Sequence, residues 1–157
     1  MFPDVSVLPG FTLPDLSAYV RRPLFEERFV VLSARPRRWT LADYAAANHV
    51  LVGGPSEGGF MDHLLAAHGV KRRVVLTVPT FHQAALAVAR TDLVATLPLH
   101  AARAVDVPVA LGEPPIPVPA LPMVMLWHPR TTTSPRHRFV RELLREVAPA
   151  DVDAAPR

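Results

Sequence analysis

The chain has 157 residues, with seventeen Lys or Arg, fourteen Asp or Glu, seven His and no Cys, and a formal net charge of +3 at pH 7. Half of the residues are hydrophobic and a fifth charged, which describes a globular chain long enough for one ordinary core or two small lobes. Without cysteine there is no disulfide, thiolate nucleophile or cysteine-ligated metal, and the basic clusters Arg37-Arg38, Lys71-Arg72-Arg73 and Arg136 to Arg145 are dispersed rather than gathered as nucleic-acid reading requires.

Residues 1–20 carry Pro3, Pro9 and Pro14, which interrupt any signal-peptide core and predict an irregular segment. No apolar run approaches the ~20 residues that cross a bilayer, so a soluble protein is expected. Arg22 to Ala34 reads as one strand, with Phe29-Val30-Val31-Leu32 as its β-formers and Pro36 as its stop. Thr40 is placed to cap a short helix, Leu41 to Ala47, with Asp43 near its positive start. His49 to Val52 reads as a short buried strand that runs into "GGPSEGG" and a helix from Phe60 to His68, closed by Gly69. Val74–Val78 and Leu93–Leu97 each end in a proline and flank the helical stretch Phe81 to Arg90, a βαβ unit. A small helix, Leu99 to Val105, follows. Pro108, Pro114, Pro115, Pro117, Pro119 and Pro122 then make an extended connector and exclude a central strand. Met123 to Trp127 is a last strand. Ser134 and Pro135 open an amphipathic helix with Phe139, Val140, Leu143, Leu144 and Val147 on one face and Arg and Glu on its wet side. The tail from Pro149 is expected to fray. The alternation of strands and helices predicts an α/β sheet, largely parallel.

Ligands of open α/β sheets sit beyond the carboxyl ends of the strands, which directs attention to two loops. Gly54-Pro55-Ser56-Glu57-Gly58 matches G-x-S-x-G, the turn that exposes a nucleophilic serine. A serine hydrolase using Ser56 is nevertheless disfavoured: only one or two strands precede it, and Asp106 and His128 are its nearest partners in order, neither in a recognisable setting. The same loop has a second use. The amides of Gly58, Gly59 and Phe60 at a helix start suit a carboxylate or another small anion, with the Ser56 hydroxyl adding a hydrogen bond. At the second loop Thr80 offers a hydroxyl and Phe81 a flat apolar wall, and both can also serve as helix cap and core. His63 and His68 lie five apart, on different helix faces, and no metal-ligand spacing occurs. Most of the histidines read as surface or interface residues, including His82. Neither G-x-G-x-x-G nor a P-loop is present, and the adjacent Glu26-Glu27 point to opposite faces of a strand. No catalytic set, cofactor or metal is implied. Binding is the expectation, not catalysis.

Four stretches in order, "RRPLFEERFVVLSA", "TLADYAAANHVLV", "GVKRRVVLTVPTFHQAALAVARTDLVATLP" and "LWHP" with "SPRHRFVRELL", resemble the effector-binding domain of LysR-type transcriptional regulators, in the branch answering aromatic compounds and nodulation-type inducers. The resemblance implies an α/β fold like that of type-II periplasmic binding proteins, mainly the second lobe plus the C-terminal part of the first. It divides the chain into an irregular segment 1–20, a hinge-crossing strand 21–34, the second lobe 35–111, a proline-rich return 112–122, the last strand and helix of the first lobe 123–148, and a tail 149–157. It implies a small, aromatic or carboxylated effector between the lobes, held by Ser56, Gly58, Gly59, Phe60, Thr80 and Phe81. It also implies homo-oligomers in the cytoplasm, no membrane, and DNA contact only through a helix-turn-helix domain that this sequence lacks, along with the first half of lobe I. Thr80 and Gly58 stand where some aromatic-acid responders carry His. A truncated regulator acting only through dimerisation is the alternative.

Overall fold

The computed structural model describes residues 2–3, 15–53 and 59–149. Its elements run β1 (Phe2–Pro3), β2 (Val20–Glu27), β3 (Phe29–Ser33), α1 (Leu41–Ala46), β4 (Asn48–Val52), α2 (Phe60–Ala67) and β5 (Arg73–Val78). They continue with α3 (Phe81–Ala89), β6 (Val94–Pro98), α4 (Leu99–Arg103), β7 (Ala110–Gly112), β8 (Leu121–Trp127), a 3-10 turn at Pro129–Thr131 and α5 (Pro135–Val147). The chain forms two units, Met1–Glu27 with Ala120–Arg157, and Arg28–Pro119.

In the first unit β8 lies between β1 and β2, antiparallel to both. Residues 1–20 were expected to be irregular, yet Phe2 and Pro3 pair with Val124 and Met123. A proline is tolerated there because β1 is an edge. The pairing of β2 with β8 slips between Pro23 and Phe25 and then holds to Glu27↔Leu121. The single strand expected over 22–34 is therefore two strands that break at Arg28, because the two halves pair in different sheets.

The second unit holds a five-stranded sheet in the order β5-β4-β6-β3-β7. Strand β4 is parallel to β5 and β6, whereas β3 is antiparallel to β6 and β7. The sheet is thus mixed rather than largely parallel. Strand β3 is buried throughout, and a continuous apolar run does not reveal which way its neighbours point. The βαβ unit exists with β4 inserted between its two strands. Helix α3 presents Ala84, Ala85 and Val88, each 0% exposed, and such small side chains let the helix lie close on the sheet. The connector contributes β7, an edge strand, as its prolines require.

Local signals end the helices where the sequence places them. Thr40 Oγ1 accepts from the Asp43 amide and donates to the Asp43 carboxylate, a reciprocal cap at α1. Helix α2 closes with Val70 N–H donating to Leu65 O and Gly69 N–H to Ala66 O, Gly69 standing at φ +69°. That is the left-handed closure glycine adopts without a Cβ clash. Helix α5 departs from expectation. Of the apolar residues expected on one face, Phe139, Val140, Leu143 and Val147 are exposed and Leu144 is half-buried, whereas Arg141 is the buried residue of the helix. Arg141 donates to the Thr131 and Thr132 carbonyls and its guanidinium stacks over Trp127.

Candidate functional site

The parallel strands β4 and β5 end side by side, with Val52 opposite Val78 and the Gly53 amide donating to Val78 O at 3.1 Å. The loop into α2 and the loop into α3 therefore leave the sheet from neighbouring strand ends. Of the six residues expected at the site, Ser56 and Gly58 lie outside the described residues. Gly59 is the N-cap of α2. A Cβ there would meet Leu51 Cδ1 at 3.0 Å, so only glycine fits without a shift. Phe60 is half-buried, its ring 4.3 Å from that of Phe29, and therefore serves the core.

Thr80 caps α3, its Oγ1 accepting from the Gln83 amide at 3.2 Å. The hydroxyl proton remains available for donation. Phe81 is 42% exposed at the first position of the same helix. The first amides of a helix have no intrahelical partner, and the first turn of α3 contains no acid. Removing the cap with Thr80→Ala is expected to cost about 1 kcal/mol of stability. Urea unfolding measures this, and Thr80→Ser should recover most of it.

Helix α2 is different. Asp62 sits in its first turn. Burial raises the Asp62 pKa, but the hydrogen bonds and charge of Arg72, the Gly59 amide and His49 together hold it below the ordinary carboxylate range. The positive start of α2 thus already faces a carboxylate, and its Gly59 amide is engaged, contrary to the free amides expected there. Arg72 donates from Nε to Asp62 Oδ1 at 2.7 Å and from the second nitrogen to Oδ2 at 2.9 Å, with only 3% of the Arg72 side chain exposed.

Beside that pair lie Tyr44, His49 and Thr96. The Tyr44 hydroxyl and Thr96 Oγ1 are 2.5 Å apart, and His49 Nε2 donates to the Tyr44 carbonyl at 2.7 Å. His49 is fully buried, as expected of the buried strand read from His49 to Val52, and among the described residues its Nδ1 has no hydrogen-bond partner. Nothing local in the sequence marks this network: Asp62 and Arg72 are ten residues apart, and Arg72 stands in a basic run that reads as solvated. Arg28 was also passed over. It opens β3 at the same sheet edge, accepts the Leu99 amide at its carbonyl and lies 3.6 Å from Glu113.

A cavity of about 290 Å³ lies at the opposite edge, beside Asn48 and Val94, where β4 and β6 begin. Arg37 lines it, stacked on Trp39 and paired with Asp43. None of the described candidate residues, Gly59, Phe60, Thr80 and Phe81, lines it.

The sequence matches the LysR substrate binding domain family over residues 4–149. It is 31% identical over 144 residues to the HTH-type transcriptional activator NagR of Ralstonia sp, covering 86% of this chain and 48% of NagR. It is 31% identical over 154 residues to nodulation protein D 1 of Sinorhizobium fredii, covering 92% and 47%. The chain therefore spans about half the length of these relatives. Among solved structures it is similar to the regulatory domain of MexT, a transcriptional activator in Pseudomonas aeruginosa. That match has a TM-score of 0.73 and 31% identity, over 87% of this chain and 68% of that domain.

Proposed function

The chain belongs to the LysR substrate binding domain family, and from that footing we propose that it is the ligand-sensing part of a LysR-type transcriptional regulator. Its fold is the α/β, type-II periplasmic-binding-protein-like fold of LysR regulatory domains, and NagR and MexT, to which it is similar, are transcriptional activators. Among the described residues no helix is long and apolar enough to cross a membrane.

In this reading the chain binds a small aromatic or carboxylated effector in the interlobe cleft, self-associates in the cytoplasm, and transforms nothing. The observation that supports it is the juxtaposition of the two loop starts, through Gly53 N to Val78 O, so that both loops leave the sheet from adjacent strand ends. Because Asp62 occupies the start of α2, the polar anchor is the start of α3. There the effector's carboxylate or hydroxyl takes the Thr80 hydroxyl and first-turn amides, and its ring lies on Phe81. Ser56 and Gly58 complete the wall. Effector capture shifts the population of lobe arrangements, which requires differential affinity for them.

A thermal-shift panel of aromatic acids tests this. An effector at a hundred times its dissociation constant adds about 2.7 kcal/mol, which for a domain of this size raises the midpoint by at least ~5 °C. Phe81→Ala should weaken binding at least ~10-fold, a change of ~1.4 kcal/mol, and leave the unliganded midpoint nearly unchanged, since the ring is 42% exposed. No response across the panel, or an equal response in Phe81→Ala, counts against the site.

A further inference from the structure

We infer that one end of the second unit's sheet, the end remote from the two effector loops, is a contact surface for the phosphate backbone of duplex DNA, without base readout. The inference makes no use of the effector site, and neither stands or falls with the other.

Two of the basic clusters that lie apart in the sequence meet at this end. Strand β5 begins at Arg73 opposite Asn48, where β4 begins, and His49 pairs with Val94, where β6 begins. Strand β3 runs the other way and finishes at the same end, with Leu32 opposite Ala95. Lys71 and Arg73 therefore stand at the entry to β5, Arg90 and Asp92 before β6, and Arg35 and Arg37 just past β3. The cavity described above joins these segments, since Arg37, Asn48 and Asp92 all line it. In the order β5-β4-β6-β3 the cations spread over three strand spacings, about 14 Å. That reach covers the phosphates on both sides of a DNA groove, about 6 Å wide for the minor and about 12 Å for the major.

Charge and the want of apolar anchors select the partner. Asp43 is already taken by Arg37 and Thr40, which leaves Asp92 as the opposing acid. Arg35, Lys71, Arg73 and Arg90 are exposed and have no ion-pair partner among the described residues. On the approach to β7, Arg103 and Asp106 offset one another. Even without Arg38, which adjoins the group, five cations against two acids leave a surplus of three, equal to the formal charge of the whole chain. A protein partner would need aromatic or aliphatic anchors at the centre of its interface. The large apolar residues at this end are buried, Trp39 at 8% and Val94 at 3% exposure, and the exposed Val74, Val75 and Leu76 lie along the β5 edge of the sheet rather than across its end. Phosphate contact needs cations alone, and guanidinium groups suit it best.

Fluorescence anisotropy of a labelled duplex of arbitrary sequence, about 20 base pairs long, titrated with the full chain from about 25 to about 150 mM salt, tests the inference. Binding is expected at the lowest salt, and its log K should fall against log salt with a slope of about −3, from about −0.9 per phosphate neutralised. Lys71→Glu with Arg73→Glu should weaken binding at least ~10-fold at about 25 mM salt and flatten the slope by about 2. Arg35→Glu with Arg90→Glu should do the same, and is the second variant should the first misfold. Arg136→Glu with Arg138→Glu makes an equal change of net charge on α5, in the first unit, and should alter binding less than ~3-fold. Absence of binding at about 25 mM salt overturns the inference, as does an affinity that neither surface variant lowers. An equal loss in the α5 variant also overturns it, because attraction would then follow net charge alone. Polyglutamate that competes as well as DNA of equal charge would assign the surface to an acidic protein instead.

Discussion

Asp62→Ala is expected to lower the stability of the second unit by about 3 kcal/mol, the lower end of the range for breaking a buried ion pair. The argument is about what remains. In the parent, Arg72 is held by both carboxylate oxygens of Asp62, at 2.7 and 2.9 Å, with 3% of its side chain exposed. Removing the carboxylate leaves a buried guanidinium that cannot lose its proton. Asp62 itself is 28% exposed, so water reaches one end of the pair, which keeps the loss from the upper end of the range. Helix α2 also loses the acid at its start. The double variant Asp62→Ala with Arg72→Met should lose less than Asp62→Ala alone, because it removes the orphaned charge and leaves an apolar chain of similar length. Urea unfolding followed by Trp39 fluorescence in a Trp127→Phe background reads the second unit by itself. A loss below about 1 kcal/mol, the scale of exposed pairs, would show the pair to be solvated. The pH sign follows from the depressed Asp62 pKa: its contribution is fully present above the ordinary carboxylate value and is lost as pH falls from that value through the lower pKa of the folded state.

Why that pair was illegible in the sequence, while much of the fold was not, comes down to range. Strand runs such as Phe29–Leu32 and Val94–Leu97, and caps such as Thr40 and Thr80, are set by neighbours within a few residues, and the structure forms them there. Strand direction is not local. A buried strand has the same composition whether its neighbour is parallel or antiparallel, so the antiparallel entry of β3 between β6 and β7 left no mark. Helix α5 shows the same limit from the other side. Its periodicity announces an apolar stripe but cannot say whether anything in the chain covers it, nor that Arg141 supplies the inward contact. At the candidate site the cap role of Thr80 follows from its place after a strand, whereas the sequence left Phe81 open between wall and core and the structure exposes its ring. The competition of Asp62 for the start of α2 does not, because it depends on Arg72 arriving from β5's approach. The two-lobe expectation came from the family resemblance, which periodicity alone would not supply.

His49 carries the second large effect, a loss of about 3 kcal/mol between pH 7 and pH 4 from this one side chain. The backbone carbonyl of Tyr44 can only accept, so His49 Nε2 carries the hydrogen at 2.7 Å. Protonation must then occur at Nδ1, which is buried with no hydrogen-bond partner among the described residues. Burial is the largest cause of the shift. The Tyr44 hydrogen bond and the Asp62 charge oppose it and the Arg72 charge adds to it, leaving the His49 pKa lowered to about 4. In the unfolded chain the imidazole titrates near 6.5. Above that value both states are neutral and His49 makes no difference. As pH falls from 6.5 towards 4, the unfolded state binds a proton that the folded state refuses, so stability declines across that window. His49→Gln keeps an N–H for the Tyr44 carbonyl and does not titrate, so its stability should stay flatter from pH 6.5 to 4 and decline chiefly where carboxylates protonate. The imidazole resonances of His49, followed by NMR, should remain those of a neutral ring down to about pH 5. A midpoint near 6.5 in the folded protein, or a parent and a His49→Gln variant with parallel pH profiles, would place water or an acceptor at Nδ1 and remove the effect.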